Sequence, residues 1–384
     1  MSGGVLILGG GIIGAGVARD AAMRGLPVTL VERHTVGSGT SSRSSRLIHG
    51  GIRYLEQGDI HLVHEALAER AILLRIAPHL VRAAPFLFLL DRGEYAEWLK
   101  VGAGVVLYRL LAIRHALGPH HPVSRRDVLE REPLLGQAPI EGGALYQDAH
   151  GDDIGLVRSN IRSAVDAGAR VIERADADVV VGPDRITATV RDGSTLHADL
   201  LVLALGPWTD TVRRAIGLAD RRLVGGTKGS HITFATARFP LRHALALRHP
   251  DDHRVMFAIP EPENGRVLAG TTDLETNESP DDVRASEQEI DYLLRAMQHL
   301  FPALHFCRDD VTSSWAGIRP LLRQGGAPSA RTREHLVLTE ERVITVAGGK
   351  LTTYRRIAEE TVDRIGEVLG IDLPPSRTAV TPLP

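Results

Sequence analysis

The sequence predicts an α/β protein with two kinds of sheet. One is parallel and carries a dinucleotide-binding turn; the other is antiparallel and belongs to a second, α+β domain. Three observations predict this. A short apolar run, Val5-Leu6-Ile7-Leu8, breaks into Gly9-Gly10-Gly11-Ile12-Ile13-Gly14 and continues as a helix through Val17, Ala18, Ala21 and Ala22. A second apolar run, Val28 to Val31, ends at Glu32, 23 positions after the first glycine of the G-x-G-x-x-G turn. Between Gly225 and Pro320 the pattern changes to short strand-like segments separated by turns. The first two observations make the N-terminal unit Rossmann-like.

Each part of the first turn has a physical reason. Gly9 makes the tight turn, Gly11 lets backbone approach a pyrophosphate, and Gly14 lets helix and strand pack closely. The helix N-terminus offers unpaired N–H groups and a positive dipole end to the phosphates. Glu32 would accept hydrogen bonds from a ribose hydroxyl pair. The turn by itself does not choose between NAD and FAD.

Composition removes several function classes. With 384 residues the chain can bury a large core and form one or two domains. A net charge of −2 gives no case for nucleic acid. Cys307 is the only cysteine, so there is no internal disulfide and no Cys/His metal spacing, and it reads as a small core residue. The N-terminal apolar run is committed to the first strand, with no basic segment before it. Ala83–Leu90 and Val101–Ile113 are apolar but too short to span a bilayer, so a soluble or membrane-surface protein is expected. Lysine occurs only at 100, 228 and 350 among 45 basic residues, which draws attention to Lys228 and Lys350 in their glycine-rich contexts.

Beyond Glu32, the segment Gly37–Gly51 is rich in glycine and hydroxyls. Composition alone reads it as a loop, but Arg43, Arg46, His49, Arg53 and Tyr54 crowd it and its continuation, which points to contact with the cofactor. Leu62 to His79 has helical periodicity and stops near Pro78. Ala96–Leu117 reads equally as a buried helix or as an interfacial one. A helix is expected over Asp152–Ala167, then strands at Val171–Glu173, Asp178–Val181, Ile186–Val190 and Thr195–Ala198. The apolar run from Leu200 ends in a glycine turn at Gly206-Pro207-Trp208. In the antiparallel region, Ser230–Phe234, Val255–Ile259 and Arg266–Gly270 read as strands and Ser286–Phe301 as a helix. The last unit is a strand at Arg342–Ala347, a Gly348-Gly349 turn and a helix from Leu351 to Leu369.

Taken together, several of these segments resemble one family. They are Gly9–Glu32, the Thr40-Ser41-Ser42-Arg43-Ser44-Ser45-Arg46-Leu47-Ile48-His49-Gly50-Gly51-Ile52-Arg53-Tyr54-Leu55-Glu56 run, Lys228-Gly229-Ser230-His231, Gly270-Thr271-Thr272-Asp273, Gly317-Ile318-Arg319-Pro320-Leu321 and Gly348-Gly349-Lys350-Leu351-Thr352-Thr353-Tyr354-Arg355. The chain is similar along nearly its whole length to the FAD-dependent, quinone-linked glycerol-3-phosphate dehydrogenases. That resemblance implies a two-dinucleotide-binding, D-amino-acid-oxidase-like fold. The FAD-binding domain is expected over 1–80, 145–222 and 330–384, and the substrate-binding domain over 81–144 and 223–329.

The implied reaction is oxidation of sn-glycerol 3-phosphate to dihydroxyacetone phosphate, with hydride passing from C2 to FAD N5 and electrons onward to quinone. The cofactor contacts carried over are Gly9, Gly11, Gly14, Glu32, Arg33, Thr40, Ser41, Ser42, Arg46, Leu47, His49, Gly50, Gly51, Gly206, Trp208, Gly349, Lys350, Leu351 and Thr352. Arg53, Tyr54, Arg319, Lys350 and His49 are the substrate contacts, because forked cations suit a phosphate dianion. The catalytic set is His231, His49, Lys350 and Arg319, with His231 ranked as base and His49 as an orienting group. The dipole of the last helix would stabilise charge developing on a flavin. No metal is expected. The implied location is cytoplasmic, peripheral on the cytoplasmic face of the membrane, with a homodimer or partner subunit as further partners.

Departures from the family are Arg46 where lysine is frequent, Ile13 where asparagine is frequent, and Leu205 where threonine is frequent. Family members also usually continue beyond the position of Pro384 into a helical domain. Two other readings stand beside the first: an oxidase or 2-hydroxy-acid dehydrogenase on the same scaffold, and a flavin-binding subunit completed by a partner chain.

Overall fold

The computed structural model describes residues 4–51, 59–93, 107–108, 111, 117–218, 221–323 and 334–384. Its first sheet has six strands, in the order His335–Glu340, Val343–Gly348, Leu200–Leu203, Val5–Leu8, Val28–Val31 and Arg170–Ile172. All neighbours are parallel except the edge strand His335–Glu340, which pairs antiparallel with Val343–Gly348. Both faces of a parallel sheet are covered, so its central strands are apolar throughout, as Val5–Leu8 and Leu200–Leu203 are. Helices Ile12–Met23 and Tyr354–Leu369 pack on one face around Val17, Ala21, Ile357 and Val362. A three-stranded antiparallel sheet, Ala177–Val181, Ile186–Val190 and Thr195–Ala198, covers Leu6, Leu201 and Leu203 on the other.

The second sheet has ten strands among the described residues. Its path runs Leu274–Glu275, Val224–Ala235, Arg266–Gly270, Val255–Glu261, Ala244–Arg248, Val81–Asp91, Ile140–Gly151 and Leu47–Ile48. Val311–Leu322 adds to Val224–Ala235, and His121–Ser124 to Ile140–Gly151. Period-two alternation splits its side chains between two environments. Leu245, Leu247, Met256 and Ala258 pack with Leu293, Met297 and Leu300 of the helix Glu287–Leu300, which starts in a Ser286/Glu289 capping box. Phe86, Phe88, Ala246, Val255 and Phe257 face the opposite way, into a large cavity between the two sheets.

Several sequence expectations change. Ala83–Leu90 is the centre of the strand Val81–Asp91, buried on both faces of its apolar half. The strands Ile140–Gly151, Ala244–Arg248, Val311–Leu322 and His335–Glu340 carry too many glycines, polar residues or small residues to stand out as apolar runs. Cys307 is exposed and starts a short 3-10 turn, because Phe306 takes the adjacent core position. Lys228 is buried in a structural ion pair with Glu278 and Glu289, at 2.9 and 3.0 Å, away from the cavity. Most of Ala96–Leu117 lies outside the described residues. Among the described residues no helix is long and apolar enough to cross a membrane.

Candidate active site

The cavity measures about 1110 Å3, above the usual range for a single small ligand. It lies where parallel strands end at their carboxyl edge. Gly9, Glu32, the Ala204–Trp208 turn and Gly349 follow four of those strands and line it. Gly9 takes φ +104, and a β-carbon there would stand 2.5 Å from the Ala204 carbonyl oxygen. A β-carbon on Gly14 would overlap the Gly9 carbonyl oxygen, so Gly14 serves helix-to-turn packing and does not itself line the cavity.

The helix Ile12–Met23 begins with no acidic residue in its first turn and no side-chain cap, and the Ile12 N–H donates to Ser41 Oγ at 3.0 Å. The last helix, Tyr354–Leu369, is entered through the turn Leu351–Thr353 and also lacks an acid there. Two acid-free helix starts at one cavity suit anionic groups. Glu32 accepts from the N–H groups of Gly10 at 2.6 Å and His34 at 2.8 Å. Arg33 stacks over Trp208 at 5.6 Å, and both bond Asp281. Glycine cradle, helix start, carboxylate and volume together fit an extended dinucleotide such as FAD.

The hydroxyl-rich segment crosses from one sheet to the other. Thr40 Oγ1 donates to the Ile318 carbonyl at 2.7 Å, and Ser44 Oγ to Asp153 at 2.8 Å. His49 is pinned through its backbone, whose N–H donates to Thr352 Oγ1 at 3.2 Å. Ser42 and Arg46, expected at the cofactor, have other partners here and do not line the cavity. Ser42 Oγ donates to the Gly39 carbonyl. Arg46 pairs with the buried Glu261 at 3.1 Å, which also holds Arg266 at 2.7 Å and His150 at 3.2 Å. Burial opposes ionisation there, but the hydrogen bonds of His150 and Arg266, with the charges of Arg46 and Arg266, outweigh it and hold the Glu261 carboxyl down at about 2. Gly50 and Gly51 also lie off the cavity; Gly50 donates to buried Asp148, which Arg70 and Tyr108 hold at 2.8 and 3.0 Å.

His231, Arg319, His49 and Lys350 also line the cavity. His231 pairs in register with Gly270 and Trp315, and its ring stacks on Trp315 at 5.4 Å between centroids. Its Nε2 shares a hydrogen bond with Ser45 Oγ at 2.9 Å, while Nδ1 has no partner. Burial, then the charges of Arg319 and Arg46, push its pKa down to about 3. Arg319 donates to Asp273 at 3.0 Å, Thr271 Oγ1 at 2.9 Å and the Thr272 carbonyl at 3.1 Å. Arg53 and Tyr54 lie outside the described residues.

Residue-by-residue sequence reading passed over Ser45, Asp148, Arg248, Arg254, Asp273 and Asp281. Ser45 and Asp273 stand inside quoted motifs, so their position was the available signal. Arg248 and Arg254 flank a hairpin tip, and nothing local marks them.

Residues 4–364 match the family described as FAD dependent oxidoreductase (DAO). The aerobic glycerol-3-phosphate dehydrogenase of Bacillus subtilis is 34% identical over 395 residues, covering 99% of this chain and 70% of that protein. The protein of the same name from Staphylococcus saprophyticus is 34% identical over 375 residues, covering 95% of this chain and 67% of that protein. Among solved structures, the glycerol-3-phosphate dehydrogenase from Bacillus halodurans complexed with FAD has a TM-score of 0.79 at 31% identity, covering 99% of this chain and 67% of that one. The L-alpha-glycerophosphate oxidase from Mycoplasma pneumoniae, with FAD bound, has a TM-score of 0.76 at 18% identity, covering 100% of this chain and 99% of that one, and so shares the fold. The chain belongs to the FAD-dependent oxidoreductase family, alongside the aerobic glycerol-3-phosphate dehydrogenases.

Proposed function

We propose that this chain oxidises sn-glycerol 3-phosphate to dihydroxyacetone phosphate and passes the electrons to a quinone at a membrane surface. The observation that carries the reading is the cationic wall around Arg319, facing the same cavity as two histidines and the nucleotide-binding turn. When bound, FAD supplies the hydride acceptor at N5.

The chain's own residues supply binding and proton transfer. Arg319, immobilised by Asp273, Thr271 and the Thr272 carbonyl, presents a forked cation to the phosphate. Lys350 adds a compact charge beside the glycine turn. Loss of hydride from C2 requires the C2 hydroxyl to release its proton. His231 is a poor acceptor for it, since a pKa near 3 marks a ring built to stay neutral. We therefore assign proton acceptance to His49 and a neutral orienting role to His231, the reverse of the order ranked from sequence. Thr352 fixes His49 at the turn entering the last helix.

The test is anaerobic bleaching of the flavin in FAD-loaded protein. Glycerol 3-phosphate should bleach it, whereas glycerol and lactate should not. His49→Asn should slow bleaching about 100- to 10,000-fold, and His231→Asn by far less. A quinone analogue should restore the colour faster than oxygen does. A yellow protein that stays oxidised with glycerol 3-phosphate rejects the reading and points to a subunit that needs a partner chain. Faster recovery with oxygen replaces the quinone by oxygen as acceptor.

A further inference from the structure

We propose that Asp148 is a positioning residue for His49: its carboxylate holds the Gly50 N–H and so fixes where the imidazole stands in the cavity. The inference rests on the function proposed above, in which His49 accepts the substrate proton.

The antiparallel ladder of Leu47–Ile48 with His150 and Ala149 ends at Ile48. Beyond it the chain is held by side chains. The His49 N–H donates to Thr352 Oγ1 at 3.2 Å, and that hydroxyl lies 3.4 Å from the His49 carbonyl oxygen. The Gly50 N–H donates to Asp148 Oδ1 at 3.1 Å. His49 is therefore gripped on both sides of its α-carbon, which leaves its side-chain torsions to place the ring.

Asp148 is itself immobilised. Arg70 Nη1 donates to Oδ1 at 2.8 Å, and the Tyr108 hydroxyl donates to Oδ2 at 3.0 Å. Arg70 Nη1 also reaches the Gln147 carbonyl at 3.1 Å and the Tyr108 hydroxyl at 3.3 Å. Three donors thus converge on Asp148, which suits an ionised carboxylate, an acceptor only. The Arg70 and Asp148 side chains are 0% and 3% exposed, so water does not compete for these bonds. Gly50 serves the same arrangement. A β-carbon there would stand 2.3 Å from the Tyr108 hydroxyl and 2.5 Å from Leu67 Cδ2.

Both grips on His49 lead back to one helix, Ile60–Ile76. Its Arg70 holds Asp148, while the adjacent Glu69 accepts from Arg355 Nε at 2.8 Å and Nη2 at 2.5 Å. Arg355 lies in the first turn of the last helix, three residues after Thr352. Two buried ion pairs from neighbouring residues therefore set the Thr352 and Asp148 contacts relative to each other. Such pairs contribute little over apolar packing of the same shape, and what they add here is a fixed geometry.

A purely structural Asp148, or one that touches substrate directly, gives a different pattern of effects. The reaction is followed as anaerobic bleaching of FAD-loaded protein by glycerol 3-phosphate. Asp148→Ala should slow the limiting rate about tenfold to hundredfold, with half-saturation changed by less than about threefold. In a His49→Asn background the same substitution should slow bleaching by less than about threefold, because no imidazole is left to misplace. Asp148→Asn keeps an acceptor for the Gly50 N–H and should recover most of the rate. Nuclear magnetic resonance of FAD-loaded protein, isotopically labelled at histidine Cε1, gives a readout independent of turnover. The His49 signal, identified by its loss in His49→Asn, should be single in the wild type and split or broadened in Asp148→Ala.

Equal slowing by Asp148→Ala in both backgrounds, or a His49 signal that stays single and sharp, overturns the proposal. A raised half-saturation with an unchanged limiting rate also overturns it and assigns Asp148 to substrate binding. If Asp148→Ala fails to load FAD, Asp148→Leu combined with Arg70→Met decides by the same criteria, since it leaves neither charge of the pair without its partner. Failure of glycerol 3-phosphate to bleach the wild-type protein rejects the proposed function, while the His49 signal still reports on Asp148.

Discussion

Arg319 lies across the backbone of Gly229. A β-carbon on Gly229 would overlap the guanidinium, so this strand residue must be glycine for the arginine to reach Asp273 and Thr271. Gly270 does the same for the His231 ring in the neighbouring strand. Glycine inside a strand often marks such a close approach.

Gly229→Ala should therefore act on substrate binding through Arg319. The side chain would be displaced from three fixed partners, and half-saturating glycerol 3-phosphate should rise at least about tenfold, with overpacking costing about 1–3 kcal/mol of stability. FAD content should be unchanged, because Gly229 belongs to the antiparallel sheet. Steady-state kinetics and flavin absorbance read both quantities. Unchanged kinetics would show that Arg319 does not bind substrate.

The depressed pKa of His231 sets a pH dependence of stability. The folded value, about 3, lies below the ordinary 6.5, so between them the unfolded chain binds more protons than the folded one. The stability contributed by the neutral ring is complete above pH 6.5 and is lost as pH falls towards 3. The loss is about 1.4 kcal/mol per pH unit, hence roughly 2 kcal/mol between pH 7 and pH 5. Urea unfolding of wild type and His231→Gln at those two pH values should show the variant losing less by that amount. Glu261 does not interfere, since its own contribution is lost only as pH falls below 4.5 towards about 2. Equal losses would mean that His231 is not desolvated.

Glu32 is predicted to matter for cofactor retention. Its carboxylate braces the Gly10 and His34 N–H groups, so it shapes the turn besides offering an acceptor to a ribose. Glu32→Ala should weaken FAD binding by about 1.5–3 kcal/mol, roughly tenfold to hundredfold. Reconstitution of apoprotein followed by flavin fluorescence measures this, and an unaltered affinity would remove Glu32 from the site.

Glu261 is predicted to be a stability residue. Removing it leaves Arg46, Arg266 and His150 gathered around a missing charge. Glu261→Ala should cost about 3–5 kcal/mol in denaturant unfolding, while pairing Glu261→Met with Arg46→Met should recover much of the loss. A cost below about 1 kcal/mol would show that the cluster is solvated.

Much of the nucleotide half was legible because its signals are local. A strand, a glycine turn and a helix occupy Val5–Met23 without interruption, and Gly9 and Gly14 are required by backbone contacts within or beside that unit. The same holds for the strand, paired glycines and helix over Val343–Leu369. Cys307 was misjudged because composition does not say which neighbour takes the core position, and the counter-ions of Lys228 were illegible for the same reason.

The sequence by itself determined the dinucleotide turn, the crossover helices and the residue types available for binding an anion and moving a proton. Only the tertiary structure decided how these are shared out. Arg46 is paired with Glu261, His231 is buried into neutrality, and Arg254 and Arg319 meet on the two oxygens of Asp273. The physical reason is range. Turn and helix preferences act over a few residues, whereas charge pairing and desolvation depend on groups brought together from strands dozens or hundreds of residues apart.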